Sequence, residues 1–240
     1  MSEFNFKEID AEGHQTLDVI SKADKLNRWM YDTIRPYCVG NILEIGSGIG
    51  NISQFFIAEN AQITLTDIRE SYCTVLKEKF DGNQVMMLDL VDSNFDIKYA
   101  HLLGTFDTVF ALNVVEHIQD DVLAMQNIKK LLKTGGKAVI LVPAYQFLYN
   151  QFDVELEHFR RYTIKSLQRI FSASDFKILK SWHFNFIGIF GWYVSGKLMK
   201  NKTIPEGQMS FYNVLVPVFK LVDKIVINKI GLSTLTVGQK

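Results

Sequence analysis

Short apolar runs alternate with longer amphipathic segments along most of this 240-residue chain, beginning near residue 41. Five runs have the length expected of buried strands, at residues 41–45, 62–66, 84–88, 106–112 and 137–142. The segments between and after them have helical length, at residues 53–59, 70–80, 120–132 and 164–173. Strands that alternate with helices predict an α/β fold with a parallel sheet and right-handed crossovers.

Two parts of the chain lie outside this alternation. Residues 1–38 carry apolar side chains at roughly helical spacing, which predicts a helical N-terminal cap. Residues 176–183 and 233–238 read as strands that pair in a C-terminal antiparallel hairpin, giving a seven-stranded, mostly parallel sheet. The aromatic-rich residues 186–230 between them are predicted to form a helical insert, or lid, before the last strand.

Within this insert, Pro217 is predicted to kink a helix or to end its first segment, because proline cannot donate a helical hydrogen bond. Four apolar residues share one face of that helix: Phe211, Leu215, Phe219 and Val222. We expect residues 1–240 to form a single domain, made of the cap 1–38, the core 39–185, the insert 186–230 and the last strand 231–240.

The composition narrows the class of protein. A hydrophobic fraction of 48% is ample for a core, and 22% charged residues with zero net charge argue against a nucleic-acid partner. Cys38 and Cys73 have no metal or redox spacing, which suits a reducing cytoplasm. Residues 1–10 are too polar for a signal peptide, and the apolar stretch 184–194 is far shorter than the ~20 residues of a spanning helix. We therefore expect a soluble, cytoplasmic protein.

A tight glycine loop follows the first predicted strand, which contains Glu44. Glycines occupy positions 46, 48 and 50, with Ser47 between the first two, and glycine is favoured where a backbone turns sharply or approaches a ligand. A dinucleotide-binding fingerprint would place its third glycine at position 51, which is Asn51. No lysine follows as a phosphate-binding P-loop would require. The loop predicts a nucleotide-type ligand without a pyrophosphate.

Carboxylates follow the next two predicted strands. Asp67, with Ile68 after it, lies about 20 residues beyond the loop, where a carboxylate can accept both ribose hydroxyls. Asp89, with Leu90 after it, is placed to accept from an adenine amino group. The alternatives are a helix N-cap for Asp67 and a turn residue for Asp89.

These segments resemble class I S-adenosylmethionine-dependent methyltransferases. The segment from Glu44 to Gly50 matches their motif [ED]-x-G-x-G-x-G, and residues 106–118 and 132–136 resemble later motifs, so that the match spans about residues 39–143. The resemblance implies a Rossmann-like fold and S-adenosylmethionine as cofactor. It further implies that Glu44 and residues 46–50 hold the methionine end, Asp67 the ribose and Asp89 the adenine.

The resemblance also implies a helix that folds over the cofactor near residues 27–31. On that helix we expect Trp29 and Tyr31 to contact the cofactor, with anchoring of the helix in the core as the alternative role.

Candidate catalytic residues follow the fourth and fifth strands. Ligands of open α/β sheets gather at the carboxyl ends of strands, so we expect Asn113, Glu116 and His117 to face the site. The loop after the fifth strand adds Tyr145 and, in a second polar group, Asp153, His158 and Arg161. A general base assists methylation of a hydroxyl or phenol, and His117 and His158 are the expected candidates. Alternatively, His117 shapes its loop, and the second polar group is a structural ion-pair network.

Glu116 and His117 are also competent metal ligands. However, Asn113 stands where a further carboxylate is expected, and the sequence offers no third ligand. We therefore predict no metal.

The leading hypothesis is S-adenosylmethionine-dependent O-methylation of a small-molecule, glycan or lipid-linked acceptor, with the insert as a hydrophobic lid. The His-x-Arg-Arg-Tyr-Thr loop resembles a bacterial branch linked to glycan, lipid and secondary-metabolite pathways. The alternatives are N- or C-methylation, or a cofactor-binding partner protein without activity. Peripheral contact with the inner face of a membrane is a further possibility because lysines lie among the apolar residues of the insert: Lys197, Lys200, Lys202, Lys220, Lys224 and Lys229. The oligomeric state is not predicted.

Overall fold

A seven-stranded sheet forms the centre of the computed structural model, which describes residues 11–199, 201, 203 and 205–240. Lys200 and Lys202, like residues 1–10, lie outside the described residues. The strands are β1 (Ile42–Ile45), β2 (Ile63–Asp67), β3 (Gln84–Met87), β4 (Phe106–Leu112), β5 (Leu132–Pro143), β6 (Lys177–Phe184) and β7 (Ser233–Gln239).

The strand order is β3-β2-β1-β4-β5-β7-β6. The first five strands are parallel, and β7 runs antiparallel to both β5 and β6. The predicted Rossmann-like α/β fold with a C-terminal antiparallel hairpin is therefore confirmed.

Helices cover both faces of the sheet. They are α1 (Ala11–Ser21), α2 (Asp24–Ile34), α3 (Ser53–Ala58), α4 (Glu70–Lys79), α5 (Phe95–Lys98), α6 (Asp121–Leu131), α7 (Gln151–Glu155), α8 (Ile164–Ala173), α9 (Gly188–Trp192) and α10 (Glu206–Ile225). A π-helical segment, Tyr193–Leu198, continues α9.

The core consists of two apolar clusters, one on each face of the sheet. Along β4, Val109 and Ala111 belong to one cluster and Phe110 to the other, because successive side chains of a strand point to opposite faces. Both faces of β1, β2 and most of β4 are thus buried, which explains why these strands read as continuous apolar runs, whereas the edge strand β3 is partly exposed. The helices cover the two faces of the sheet but not the carboxyl ends of its parallel strands.

Helix α10 differs from its prediction in two respects. It continues through Pro217, so the expectation that this proline ends a helical segment is wrong. The four residues expected on one face are also unequally buried, since Phe219 is buried while Phe211 is 67% exposed. Polar contacts fix the helix rotation: Asn213 Oδ1 accepts the backbone N–H groups of Lys25 and Leu26 at 2.9 and 3.1 Å.

This rotation leaves an apolar stripe on the outer side of α10. Five residues at alternating spacings of three and four are each more than half exposed, and we call them the exposed stripe: Phe211, Val214, Val218, Leu221 and Ile225. Among the described residues, no helix has both the length and the hydropathy needed to cross a membrane.

Candidate functional site

A cavity of about 670 Å³ lies at the carboxyl ends of the first four strands. Helices α1 and α2 and the insert supply its remaining walls. Most of the residues predicted to bind a cofactor line it, namely Glu44, Gly46, Ser47, Gly48, Asp67, Ile68, Asp89, Leu90 and Asn113. The topology therefore gathers residues that are up to 69 positions apart in the sequence.

The glycine loop forms one wall of this cavity. Gly46 and Gly48 have φ angles of +68° and +53°, in the left-handed region that favours glycine. A Cβ at position 46 would collide with Val114. Gly50 was also expected to hold the cofactor, but it does not line the cavity. Its φ is +81° and a Cβ there would collide with Phe80, so its role is close packing against the end of α4.

The side chain of Asp67 is held by two backbone N–H groups, one in the glycine loop and one just before α4. Its Oδ2 accepts the N–H of Gly48 at 2.9 Å and its Oδ1 accepts the N–H of Arg69 at 3.0 Å. Burial raises the pKa of this carboxyl group, and these backbone bonds oppose the rise. The carboxylate is thus fixed between the glycine loop and the start of α4, with its remaining lone pairs available to a ligand.

Asp89 and Glu44 also line the cavity and also carry structural bonds. Oδ1 of Asp89 accepts the N–H of Val91 at 2.9 Å, which is the turn role expected as the alternative. Glu44 accepts a hydrogen bond from the hydroxyl of Ser53 at the start of α3. Burial raises the pKa of Glu44 to about 7.

The positions of the two residues predicted on α2 favour their alternative role. Neither Trp29 nor Tyr31 lines the cavity. The Trp29 ring packs on Phe184 with centroids 4.4 Å apart, and Tyr31 is buried among the aromatic rings of α3. Their anchoring role, which the sequence left open, is what the structure shows. The cavity-facing side of α2 carries Asn27 and Met30 instead.

Helix α1 contributes residues that the sequence analysis missed. Its cavity-facing residues are Gly13, Thr16, Leu17 and Ile20. Their spacing of three and four is a helical signal, which could have identified this face. Asn51 of the glycine loop donates to the backbone oxygen of Leu17 at 3.2 Å, so α1 is tied directly to the loop.

The opposite wall of the cavity contains a cluster of Glu116, His117 and His158. Glu116 is 0% exposed, and neither carboxylate oxygen has a hydrogen-bond partner among the described residues. Its Oε1 lies 4.0 Å from Nε2 of His158, and the rings of His117 and His158 have centroids 4.6 Å apart. Burial raises the pKa of Glu116 to about 8 and lowers the pKa of His117 to about 3.

His158 belongs to a buried ion-pair network as well as to this cluster. Oδ1 of Asp153 lies 2.7 Å from Nδ1 of His158 and 2.8 Å from Nε of Arg161. Arg161 also donates to the backbone oxygen of Ala144 at 3.1 Å and lies over the ring of Trp192. The structural network expected as the alternative is therefore present and fixes the ring of His158. His158 and Arg161 also line the cavity, and their catalytic role stays a prediction.

Tyr145 was expected among the catalytic residues, but it does not line the cavity. Its hydroxyl lies 3.1 Å from Nε2 of His183, and the two rings stack. It pins the loop after β5 to strand β6.

The structure supplies the third ligand that the sequence did not. Glu116, His117 and His158 each offer a ligand atom, and these atoms lie within 4.8 Å of one another. His158 was not recognised as a ligand because it is 41 residues from His117, and only tertiary folding brings the two together.

The insert closes the cavity with largely apolar side chains. Its cavity-facing residues are Gly188, Gly191, Trp192, Ser195, Gln208, Met209 and Tyr212. The indole N–H of Trp192 is buried and has no hydrogen-bond partner among the described residues. The cavity thus has a polar cradle at the strand ends and an apolar roof.

Comparison with known proteins identifies the family. The family model described as "Methyltransferase domain" matches residues 4–181. The chain belongs to this methyltransferase family. This match confirms the predicted class of enzyme and its methyl donor, S-adenosylmethionine. The cavity fits that cofactor, because the loop at Gly46 leaves no room for a side chain and Asp67 presents a fixed carboxylate beside it.

The chain also matches parts of much longer curated proteins. A non-reducing polyketide synthase from Aspergillus novofumigatus is 30% identical over 102 residues, which is 40% of this chain and 4% of that protein. The chain therefore spans only a small fraction of that curated relative.

Two solved structures share the fold at low sequence identity. A methyltransferase from Archaeoglobus fulgidus has a TM-score of 0.59 at 16% identity, covering 89% of this chain and 94% of that one. A Haemonchus contortus phosphoethanolamine N-methyltransferase 2, solved with phosphomonomethylethanolamine and S-adenosylhomocysteine, has a TM-score of 0.61 at 15% identity, covering 100% and 61%.

Proposed function

We propose that this methyltransferase transfers the methyl group of S-adenosylmethionine to a hydroxyl oxygen of a lipid-linked or otherwise partly apolar acceptor. One observation carries the proposal: a single cavity contains the cofactor cradle, the cluster of Glu116, His117 and His158, and an apolar roof. An acceptor between the cradle and the roof would present its oxygen to the cofactor and to the cluster together.

The sulfonium of the cofactor supplies an already activated methyl group. In the reaction, an acceptor oxygen–carbon bond forms while the sulfur–carbon bond breaks in line, and the products are a methyl ether and S-adenosylhomocysteine. The hydroxyl proton must leave, and we assign its acceptance to a carboxylate oxygen of Glu116, because Glu116 lines the cavity and neither oxygen has a hydrogen-bond partner among the described residues. His117 and His158 flank that carboxylate, and Asp153 orients His158.

The roof supports an acceptor with apolar character. Met209, Tyr212 and Trp192 give the cavity a surface that water solvates poorly, so burial of an isoprenoid or aromatic group there is favourable. The free indole N–H of Trp192 would donate to one polar group of the acceptor. A glycan joined to a lipid would satisfy both features, as a polyketide-like small molecule also would.

Purified protein and methyl-deuterated S-adenosylmethionine test this proposal. We expect mass spectrometry to show one labelled methyl group on the oxygen of a polyprenyl-linked glycan or an aromatic hydroxyl acceptor. Glu116→Gln should lower turnover by ~10²-fold or more while S-adenosylhomocysteine binding persists. A labelled nitrogen or carbon would instead support the alternative acceptors. Cofactor binding without turnover on any acceptor would favour the non-catalytic partner protein.

We also propose that the protein acts in the cytoplasm against the inner face of a membrane, with the exposed stripe as its contact surface. The stripe presents five large apolar side chains to solvent, which is unusual for a monomeric surface. Residues 186–230 contain six lysines but only Glu206 and Asp223 as acidic residues, and Asp223 is buried. This combination suits the anionic interface of a bilayer. It would also place the apolar roof beside a source of lipid-linked acceptor.

Vesicle co-sedimentation tests the membrane contact. We expect binding to phosphatidylglycerol vesicles and much weaker binding to phosphatidylcholine vesicles. Val218→Ser with Leu221→Ser should abolish binding, whereas Ile97→Ser, at a still more exposed apolar position on α5, should not. Equal sedimentation of all three proteins would overturn the contact. A concentration-dependent dimer that the stripe variant abolishes would assign the stripe to a second copy of the chain instead.

A further inference from the structure

We propose that Glu116, His117 and His158 bind a divalent first-row metal cation at the wall of the cavity. The binding itself stands on the geometry below, and only its catalytic consequence rests on the proposed function. The donor set is two imidazoles and one carboxylate, which is a combination that first-row divalent metals accept.

The distances suit a shared cation. The three ligand atoms lie within 4.8 Å of one another, and Nε2 of His158 and Oε1 of Glu116 are 4.0 Å apart. Metal–ligand bonds of about 2.0–2.2 Å put the ligand atoms of a tetrahedral site about 3.4 Å apart, so the three side chains would have to close by about 1 Å around the cation. All three residues line the same cavity, so the remaining coordination positions would open toward an acceptor.

The local charges leave a place for a cation. Two carboxylates, Glu116 and Asp153, are 0% exposed, and Arg161 is the buried cation that interacts with both. Arg161 is committed to Asp153 through a 2.8 Å contact, while both oxygens of Glu116 lack a partner. Buried carboxylates in proteins are normally hydrogen-bonded, paired or bound to metals, whereas Glu116 makes no hydrogen bond within the described residues and lies 4.0 Å from Nε2 of His158.

The surroundings of the two histidines resemble those of metal ligands. Nδ1 of His158 lies 2.7 Å from Asp153, which fixes the proton on Nδ1 and leaves the Nε2 lone pair toward Glu116. The ring of His117 packs edge-on against that of His158, with centroids 4.6 Å apart. Outer contacts such as that with Asp153 orient imidazole ligands and raise their basicity.

The cation would explain how the acceptor is activated. Coordination of a hydroxyl oxygen to a divalent cation lowers its pKa, so that the proton leaves more readily. If one oxygen of Glu116 coordinates the cation, the second oxygen remains free to accept that proton. The site would thus work with Glu116 as both ligand and proton acceptor.

Calorimetric titration of chelator-treated, untagged protein with Zn²⁺, and separately with Mn²⁺, tests the site. We expect one equivalent of at least one cation to bind with a Kd in the micromolar range or below. Glu116→Gln and His117→Gln should each weaken binding at least tenfold. His101→Gln, at an exposed histidine outside the cavity, should leave binding unchanged. Retained S-adenosylhomocysteine affinity would show that each variant is folded.

Two results separate this inference from the proposed function. Cation binding that depends on Glu116 and His117, with no methylation of any hydroxyl acceptor, would support the site and refute the function. Methylation that proceeds at an unchanged rate in chelator, in protein that binds neither Zn²⁺ nor Mn²⁺, would support the function and overturn the cation. Binding that all variants share equally would also overturn it.

Discussion

Oδ1 of Asp153 accepts a hydrogen bond from Nδ1 of His158 at 2.7 Å, deep in the loop between β5 and β6. The same oxygen also accepts a hydrogen bond from the Nε–H group of Arg161. One carboxylate atom therefore determines the position of two cavity-lining side chains, and the loop that carries them depends on it.

Asp153→Ala should destabilise the protein by about 3–5 kcal/mol, because it leaves the guanidinium of Arg161 buried without its carboxylate. Urea unfolding followed by circular dichroism measures the change. The matched control is Asp96→Ala, which breaks an exposed pair with Lys130 and should cost under about 1 kcal/mol. Equal losses in the two variants would show that the buried network has no special role.

Gly46→Ala should impair both folding and cofactor binding. An alanine is strained at the positive φ of this position, and its Cβ would collide with Val114. Gly104→Ala provides a control with nearly the same φ, +67°, but with nothing within 4 Å of the added atom. The control should lose only about 1–2 kcal/mol for the left-handed backbone. Thermal unfolding and titration with S-adenosylhomocysteine measure both effects. Identical behaviour of the two variants would contradict a steric role for Val114.

Asp67→Asn should weaken S-adenosylhomocysteine binding by tenfold or more. The amide keeps the size of the side chain but loses charged acceptors for ribose hydroxyls, and hydrogen bonds to charged groups contribute about 1.5–3 kcal/mol. Calorimetric titration gives the affinity, with Asp81→Asn as a surface control. An unchanged affinity would restrict Asp67 to its two backbone bonds, with Gly48 and Arg69.

Burial of Glu44 should make the cofactor-free protein less stable as the pH rises. Its pKa is about 7 in the folded chain and near 4.5 when solvated, so folding favours the protonated form. The stability that this preference contributes is complete below pH 4.5 and is lost as the pH rises through 7, by about 3 kcal/mol in total.

Glu44→Gln should remove this dependence. The stability of the variant minus that of the wild type, from urea unfolding at pH 5 and pH 8, should therefore increase by about 2.5 kcal/mol, because part of the total is already lost at pH 5. A constant difference across this range would mean that Glu44 stays ionised in the folded protein.

The sequence predicted those features that depend on local pattern. Strand positions followed from short apolar runs, and Asp67 and Asp89 followed from the rule that ligands gather at strand ends. The errors have another origin. On α2, helical spacing identified an apolar face, but contacts with Phe184 and α3 decide that Trp29 and Tyr31 point into the core.

The remaining misses depend on contacts between distant segments. His158 joins Glu116 only after the loop beyond β5 folds back across the sheet edge. Likewise, the rotation of α10 depends on Asn213 bonding to the start of α2, which no periodicity within α10 can reveal. Such pairings carry no local signature in a single sequence.

The direct pairing of β6 with β7 has an evolutionary consequence. The two strands are neighbours in the sheet, yet the chain leaves the sheet after β6, forms the excursion of residues 186–230, and returns to the sheet at β7. The paired residues of β6 and β7 therefore include none from this excursion. In related proteins, the length and side chains of the roof could therefore change, and the acceptor with them, while selection preserved the cofactor cradle.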